Sequence, residues 1–173
     1  MLAVTSLLPL LGCSREEPVR GDDGNVRRTG AISVFDLHVG DCAIPPEKVT
    51  KDFQGNLPTI TVMPCKTEHT LEYYDKVPYS PAPDRPGTSG TTAPANVDTY
   101  PGEAALKLFA DSRCANRFEP YVGTAYTDST LFLTYLTPSV RSWNDPDQRD
   151  RDVFCFVTTT GEKLTSSVKG SGK

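Results

Sequence analysis

Histidine, methionine and tryptophan are scarce in this 173-residue chain, at two, two and one copies. With only His38 and His69 and no Cys-x-x-Cys pair, the usual spacing of a zinc site is missing. There is no Gly-x-Ser-x-Gly elbow, which argues against a serine hydrolase. There is no phosphate-cradling glycine loop and no dinucleotide fingerprint either. Basic residues do not outnumber acidic ones: 18 Lys and Arg face 22 Asp and Glu, for a net charge of −4. A protein that neutralises nucleic-acid phosphates needs a basic face, so nucleic acid is not an expected partner. No apolar run approaches the ~18–20 residues of a membrane-spanning helix. Hydrophobic residues make up 37% of the chain, a low share for one that must build a core. The length suits one domain.

Proline (15), glycine (13) and cysteine (5) are present in quantity. Met1–Leu11 is almost wholly apolar or small, and the chain turns polar immediately after Gly12–Cys13. So short an apolar run, without a polar face, reads as the hydrophobic part of an export signal over residues 1–12. Leu10–Leu11–Gly12–Cys13 resembles a bacterial lipobox. The resemblance implies a diacylglycerol, with palmitate among its acyl chains, on the Cys13 thiol and cleavage before it. Two acyl chains anchor stably where one is marginal. A signal usually opens with Lys or Arg; none precedes Arg15, and a start upstream of Met1 would supply it. The expected location is extracytoplasmic, on the outer face of the cell membrane. Residues 13–31 carry both charge signs and no apolar period, which predicts a flexible tether.

Setting Cys13 aside leaves Cys42, Cys65, Cys114 and Cys155. An even count in an exported domain predicts two disulfides in one of three connectivities, the most local being Cys42–Cys65 with Cys114–Cys155. Each would contribute roughly 3–4 kcal/mol in the chain-entropy picture, offsetting a thin core.

Along the domain, Ile32–Val39 reads as a strand of weak register, with Val34, Phe35, Leu37 and Val39 as core candidates. Ala43–Leu57 reads as a loop. Thr59–Met63 is a period-2 strand with Ile60 and Val62 on one face. Thr70–Val77 is a second strand, with Leu71, Tyr73 and Val77 inward. The Pro- and Thr-rich stretch at 80–99 predicts a disordered loop. A helix runs from Pro101 to about Glu119, with Ala104, Ala105, Leu108, Phe109, Ala115 and Phe118 on its apolar face and Pro120 and Gly123 at its end. Leu131–Leu136 and Val153–Thr158 are strands, the first apolar enough to be central. The stretch from Pro138 to Arg151 reads as a solvated loop. Gly161–Glu162 turns into a terminal strand over Lys163–Val168, followed by a mobile tail. The sum is an α+β domain: one main helix on one side of a mostly antiparallel sheet, stapled by two disulfides.

Several blocks, in order, resemble the septum-formation domain of actinobacterial envelope proteins. They are Val34–Cys42, Val62–His69 with Glu72, Tyr100–Glu103, Cys114–Gly123, then Pro138, Trp143 and Cys155, and the closing Glu162–Gly170. The likeness covers about 33–170. It implies the cell envelope and, by the family's name, division; it carries no assigned catalytic activity and no cofactor.

Candidate chemistry is sparse. His69 lies near Glu68 and Glu72, and a histidine–carboxylate pair can do acid/base work. Asp36 and Asp41 are a second possible carboxylate pair. For binding, adjacent Tyr73 and Tyr74 must point to opposite faces of a strand, which would put Tyr74 outside. Trp143 in a polar loop suits a contact. The candidate binding residues are therefore His69, Glu72, Tyr74 and Trp143. Two readings follow: a non-catalytic, lipid-anchored module that binds an envelope or division protein or the wall polymer, or a small envelope hydrolase using His69 with a carboxylate.

Overall fold

The computed structural model describes residues 16–45, 59–80 and 98–173. The expected signal, Cys13, most of the 43–57 loop and the core of the 80–99 insert lie outside the described residues.

A six-stranded sheet has the order β3-β5-β4-β6-β8-β7, every pairing antiparallel. Its strands are β3 (Gly30–Ser33), β4 (Cys42–Ile44), β5 (Thr59–Met63), β6 (Leu71–Pro78), β7 (Phe132–Leu136) and β8 (Asp152–Thr158). The long helix α1 (Glu103–Val122) packs on one face, and a short helix α2 (Val140–Asn144) precedes β8. The fold is α+β, as its sequence pattern predicts.

Strand β8 shows how this sheet is buried. Val153, Cys155 and Val157 point into a cluster with Ala110, Cys114 and Phe118 of α1, whereas Phe154 and Phe156 point into a second cluster with Val26, Val34, Ile60 and Val62. Alternate residues of a strand face opposite sides, so both sides of this sheet are covered. The opposite face is not left to solvent, contrary to the one-sided sheet expected. It is roofed by the N-terminal segment: β1 (Val19–Arg20) and β2 (Val26–Arg28) form a small antiparallel hairpin, and Val34–Asp36 winds into a 3-10 turn capped by Ser33. Residues 16–31 are thus folded where a tether was expected. The Glu16 carbonyl accepts from Ala31 N–H at 3.1 Å. A Cβ on Gly30 would lie 2.2 Å from the Pro18 nitrogen, so only glycine admits this close approach. The 3-10 turn also ends the expected 32–39 strand at Ser33 and leaves Val39 exposed.

In α1 the buried stripe is Leu106, Ala110, Cys114, Phe118 and Val122, each four residues on. That rotates the apolar face away from the sequence expectation, and Leu108 is 74% exposed. The helix starts at Glu103 rather than Pro101. Pro120 sits inside its last turn, costing a single backbone donor there. Gly123, at φ 93°, closes the helix in the left-handed conformation with its N–H on the Glu119 carbonyl. The C-terminal tail, expected to be mobile, is hydrogen-bonded to the end of α1: Gly170 N–H and Gly172 N–H donate to the Tyr121 and Val122 carbonyls, each at 2.8 Å. These are carbonyls that a helix end leaves without partners. The expected 163–168 strand is reduced to one bridge between Leu164 and His69, with Leu164 and Val168 anchored in the core. β7 is an edge strand, not a central one. The 138–151 stretch is folded, because Ser139 and Ser142 form a reciprocal capping box that starts α2.

Two disulfides close the structure. Cys42–Cys65 ties β4 to the residue beyond Pro64 (Cα–Cα 5.1 Å), and Cys114–Cys155 ties α1 to β8 (Cα–Cα 5.6 Å). Of the three connectivities, this is the most local.

Candidate functional site

The expected site residues share a neighbourhood only in part. His69 sits just before β6, its backbone paired with Leu164 in both directions. Its ring is wholly buried, and Nδ1 lies 2.7 Å from the Thr67 carbonyl. That carbonyl can only accept, so Nδ1 donates to it. Nε2 finds no hydrogen-bond partner among the described residues.

Glu72, on β6, is also wholly buried. Its Oε1 accepts from the Tyr121 hydroxyl and the Ser167 hydroxyl, both at 2.6 Å, and its Oε2 from Val168 N–H at 2.7 Å. Three donors on one carboxylate compensate the lost hydration and bind the C-terminal segment to the sheet and helix. Burial and the adjacent Glu72 carboxylate push the Tyr121 hydroxyl well above its ordinary pKa, burial being the larger cause.

Glu68 points away from this cluster, exposed and paired with Lys163 at 2.8 Å; that bond, foremost, lowers its pKa. Asp41 is committed elsewhere. Its two oxygens take a fork from Arg20 at 2.6 and 2.7 Å, and one also accepts from His38 N–H at 2.8 Å. Asp36 stands exposed on the 3-10 turn, so no catalytic carboxylate pair forms. The hydrogen bond to Asp41 raises the Arg20 pKa against the opposing effect of burial.

Tyr74 and Trp143 are not surface contacts. A register irregularity in β6 between Tyr73 and Asp75 shifts the pairing with β8, and Tyr73 and Tyr74 enter the two separate cores. The Tyr74 hydroxyl donates to the Cys114 carbonyl at 2.8 Å. Trp143 is fully buried; the edges of Tyr79 and Tyr100 meet it, and the Arg151 guanidinium lies 3.9 Å above its ring. It is a lid over the core.

One cavity of about 400 Å³ opens beside these groups. β2, the Val39–Cys42 turn, the segment Met63–Lys66, Ser167 and Lys169 line it; His69 and Glu72 do not. The Cys42–Cys65 disulfide is part of its lining, and its cations are Lys66, Lys169 and Arg27, the last paired with Asp23 at 2.6 Å. Its carboxylate, Asp41, is already neutralised by Arg20. The chain is acidic overall, so this basic recess is a local exception. Sequence reasoning missed Arg20, Tyr121 and Ser167. Arg20 had a usable signal: Val19 and Val26 flank Asp23–Gly24–Asn25, a turn between short strand candidates. Tyr121 and Ser167 had none, being brought to Glu72 from 49 and 95 residues away.

The chain is similar to a mycobacterial lipoprotein. It is 28% identical over 138 residues to the protein named "Putative lipoprotein LppN" of Mycobacterium tuberculosis (strain ATCC 25618 / H37Rv), and likewise to that of Mycobacterium bovis (strain ATCC BAA-935 / AF2122/97). The match covers 78% of this chain but 63% of the relatives, so the chain spans under two thirds of their length. No protein-family model matches the chain, and no solved structure matches it significantly.

Proposed function

We propose that this chain is an actinobacterial envelope lipoprotein, held on the outer face of the cell membrane by a diacylglycerol on Cys13. In this reading it serves there as a binding or accessory module without catalysis of its own. The observation that carries the reading is the cysteine ledger: Cys42 pairs with Cys65 and Cys114 with Cys155. Cys13 alone is left over, at the end of the apolar run. Disulfides fit an oxidising compartment, and the mycobacterial relatives carry a lipoprotein name. The hydrolase reading loses its support, because His69 and Glu72 are shut away from the cavity and Glu68 faces Lys163.

The folded hairpin changes the expected geometry of anchoring. With Glu16 bound to Ala31, only Ser14 and Arg15 separate the body from Cys13, a span of three Cα–Cα steps. An extended chain of that length reaches only about 10–11 Å. The domain would rest at the membrane surface instead of standing off it.

A link to septum formation is the finer proposal, supported by the ordered blocks it shares with that domain. The partner would be an envelope or division protein or the wall polymer. The test pairs native protein with Cys13→Ala in dividing cells, read by membrane fractionation, acyl labelling and the position of an epitope tag. Loss of acylation and membrane retention in the variant supports the anchor. A native protein that stays soluble and unlabelled overturns it, and an even envelope distribution overturns the septal role.

A further inference from the structure

The two disulfides differ in their surroundings. Cys114 and Cys155 are both fully buried in the main core. Cys42 is fully buried, whereas Cys65 is half-buried, and both line the basic cavity. Cys42, His69 and Glu72 cluster there: one ligand atom of each falls within 4.8 Å of the others, and His69 Nε2 has no hydrogen-bond partner among the described residues. A buried acceptor without a donor is costly and uncommon. A disulfide sulfur has no proton to give it; a Cys42 thiol has one.

We propose that Cys42–Cys65 is a thiol-exchange site, opened through the cavity by a small anionic thiol that attacks Cys65 and releases Cys42 to His69. The incoming thiolate sulfur bonds to Cys65 Sγ and the Cys42–Cys65 bond breaks. Its electron pair stays on Cys42 Sγ, which takes the proton the incoming thiol gave up and donates S–H to His69 Nε2. A second thiol then frees Cys65 and leaves as a disulfide with the first, so two thiols are oxidised and one protein disulfide is reduced. Access selects Cys65 over Cys42, because only Cys65 is not fully buried. Charge selects the thiol. Lys66 and Lys169 line the approach; Arg27 there is paired with Asp23 at 2.6 Å, and the Asp41 carboxylate with Arg20. An anionic thiol is therefore drawn in and a cationic one repelled. Reduction supplies a donor to His69 Nε2, which eases opening of this disulfide relative to Cys114–Cys155. This holds whether or not Cys13 is acylated.

The experiment exposes the native chain to thioglycolate (anionic), 2-mercaptoethanol (neutral) and cysteamine (cationic), with alkylation and mass mapping of each cysteine. Rates are normalised to thiolate concentration. The expected result is a mixed disulfide on Cys65, none on Cys114 or Cys155, and a several-fold rate order of thioglycolate over 2-mercaptoethanol over cysteamine. That order should flatten at high salt and in a Lys66→Glu, Lys169→Glu variant, whose changed side chains are exposed. His69→Leu should raise the thiol concentration needed for half reduction about tenfold. Should that variant fail to fold, the thiol-charge series on the native chain decides alone. Adducts on Cys42, simultaneous reaction of both disulfides, no adduct short of unfolding, or rates indifferent to thiol charge would each overturn the proposal.

Discussion

Glu72→Gln is the most informative single change to the buried network. Glutamine keeps the shape, and its carbonyl oxygen can stand where Oε1 accepts from Tyr121 and Ser167. Its amide nitrogen then meets Val168 N–H, which now sits 2.7 Å from Oε2, donor against donor. Turning the amide over restores Val168 and puts NH₂ against two hydroxyls, which can rotate to accept. Neither arrangement recovers all three bonds at full strength. A hydrogen bond to a charged acceptor contributes about 1.5–3 kcal/mol, and a stranded buried donor costs about 1–3 kcal/mol. One lost bond and the weakening of two others therefore sum to roughly 2–3 kcal/mol. Urea unfolding followed by the fluorescence of the single tryptophan, Trp143, measures that loss. Hydrogen exchange at Val168, Gly170 and Gly172 shows where it falls, because Glu72 is what clamps the tail whose amides cap α1. The expected pattern is a lower urea midpoint with tail protection lost first. Tyr121→Phe, which removes one of the three donors, should cost about half as much. A Glu72→Gln protein within 0.5 kcal/mol of native, with Val168 protection intact, would refute the clamp.

Further outcomes follow from other contacts. Burial above all raises the hydroxyl pKa of Tyr73, Tyr74 and Tyr121; the folded state thus holds these protons more tightly than the unfolded chain. Their contribution is complete below the unfolded value near 10 and is lost as pH rises beyond it. Tyrosinate absorbance should show these three ionising only together with unfolding. Trp143→Ala empties a fully buried site and strips the Arg151 guanidinium of its ring, a loss of about 3–5 kcal/mol by urea denaturation. Gly30→Ala forces a methyl onto the Pro18 backbone and should free residues 16–20 to proteases, with faster exchange at the Ala31 amide. On intact cells, inserting a long Gly/Ser spacer before Glu16 should make the domain easy to shave off with protease, while the native two-residue leash resists.

Chain-local physics was readable in advance. Ile60 and Val62 alternate on β-branched residues and are buried as that period requires. The helix, the β8 strand and the even set of domain cysteines were legible because each follows from composition or periodicity within a few residues. Leu108 was misassigned because several helical faces carried apolar residues and only contact with the sheet chose among them. Trp143 and Tyr74 were misread for a related reason. A single-sequence argument sees the polarity of neighbours, whereas burial depends on distant partners: α1 for Tyr74, and Tyr79, Tyr100 and Arg151 for Trp143.

By itself the sequence determined the class of the protein: an acidic α+β domain, two cysteine staples, no apolar run of membrane-spanning length, and one cysteine at the end of a short apolar run. Only tertiary structure decided that the 16–31 segment is a roof and not a tether. Only tertiary structure likewise placed Tyr121, Ser167 and Val168 around Glu72, and the Cys42–Cys65 disulfide in the lining of a basic cavity with Cys42 near His69. Those facts join residues up to 96 positions apart. No local propensity encodes such pairings; they exist because burying both faces of one sheet leaves the chain few ways to satisfy its polar groups.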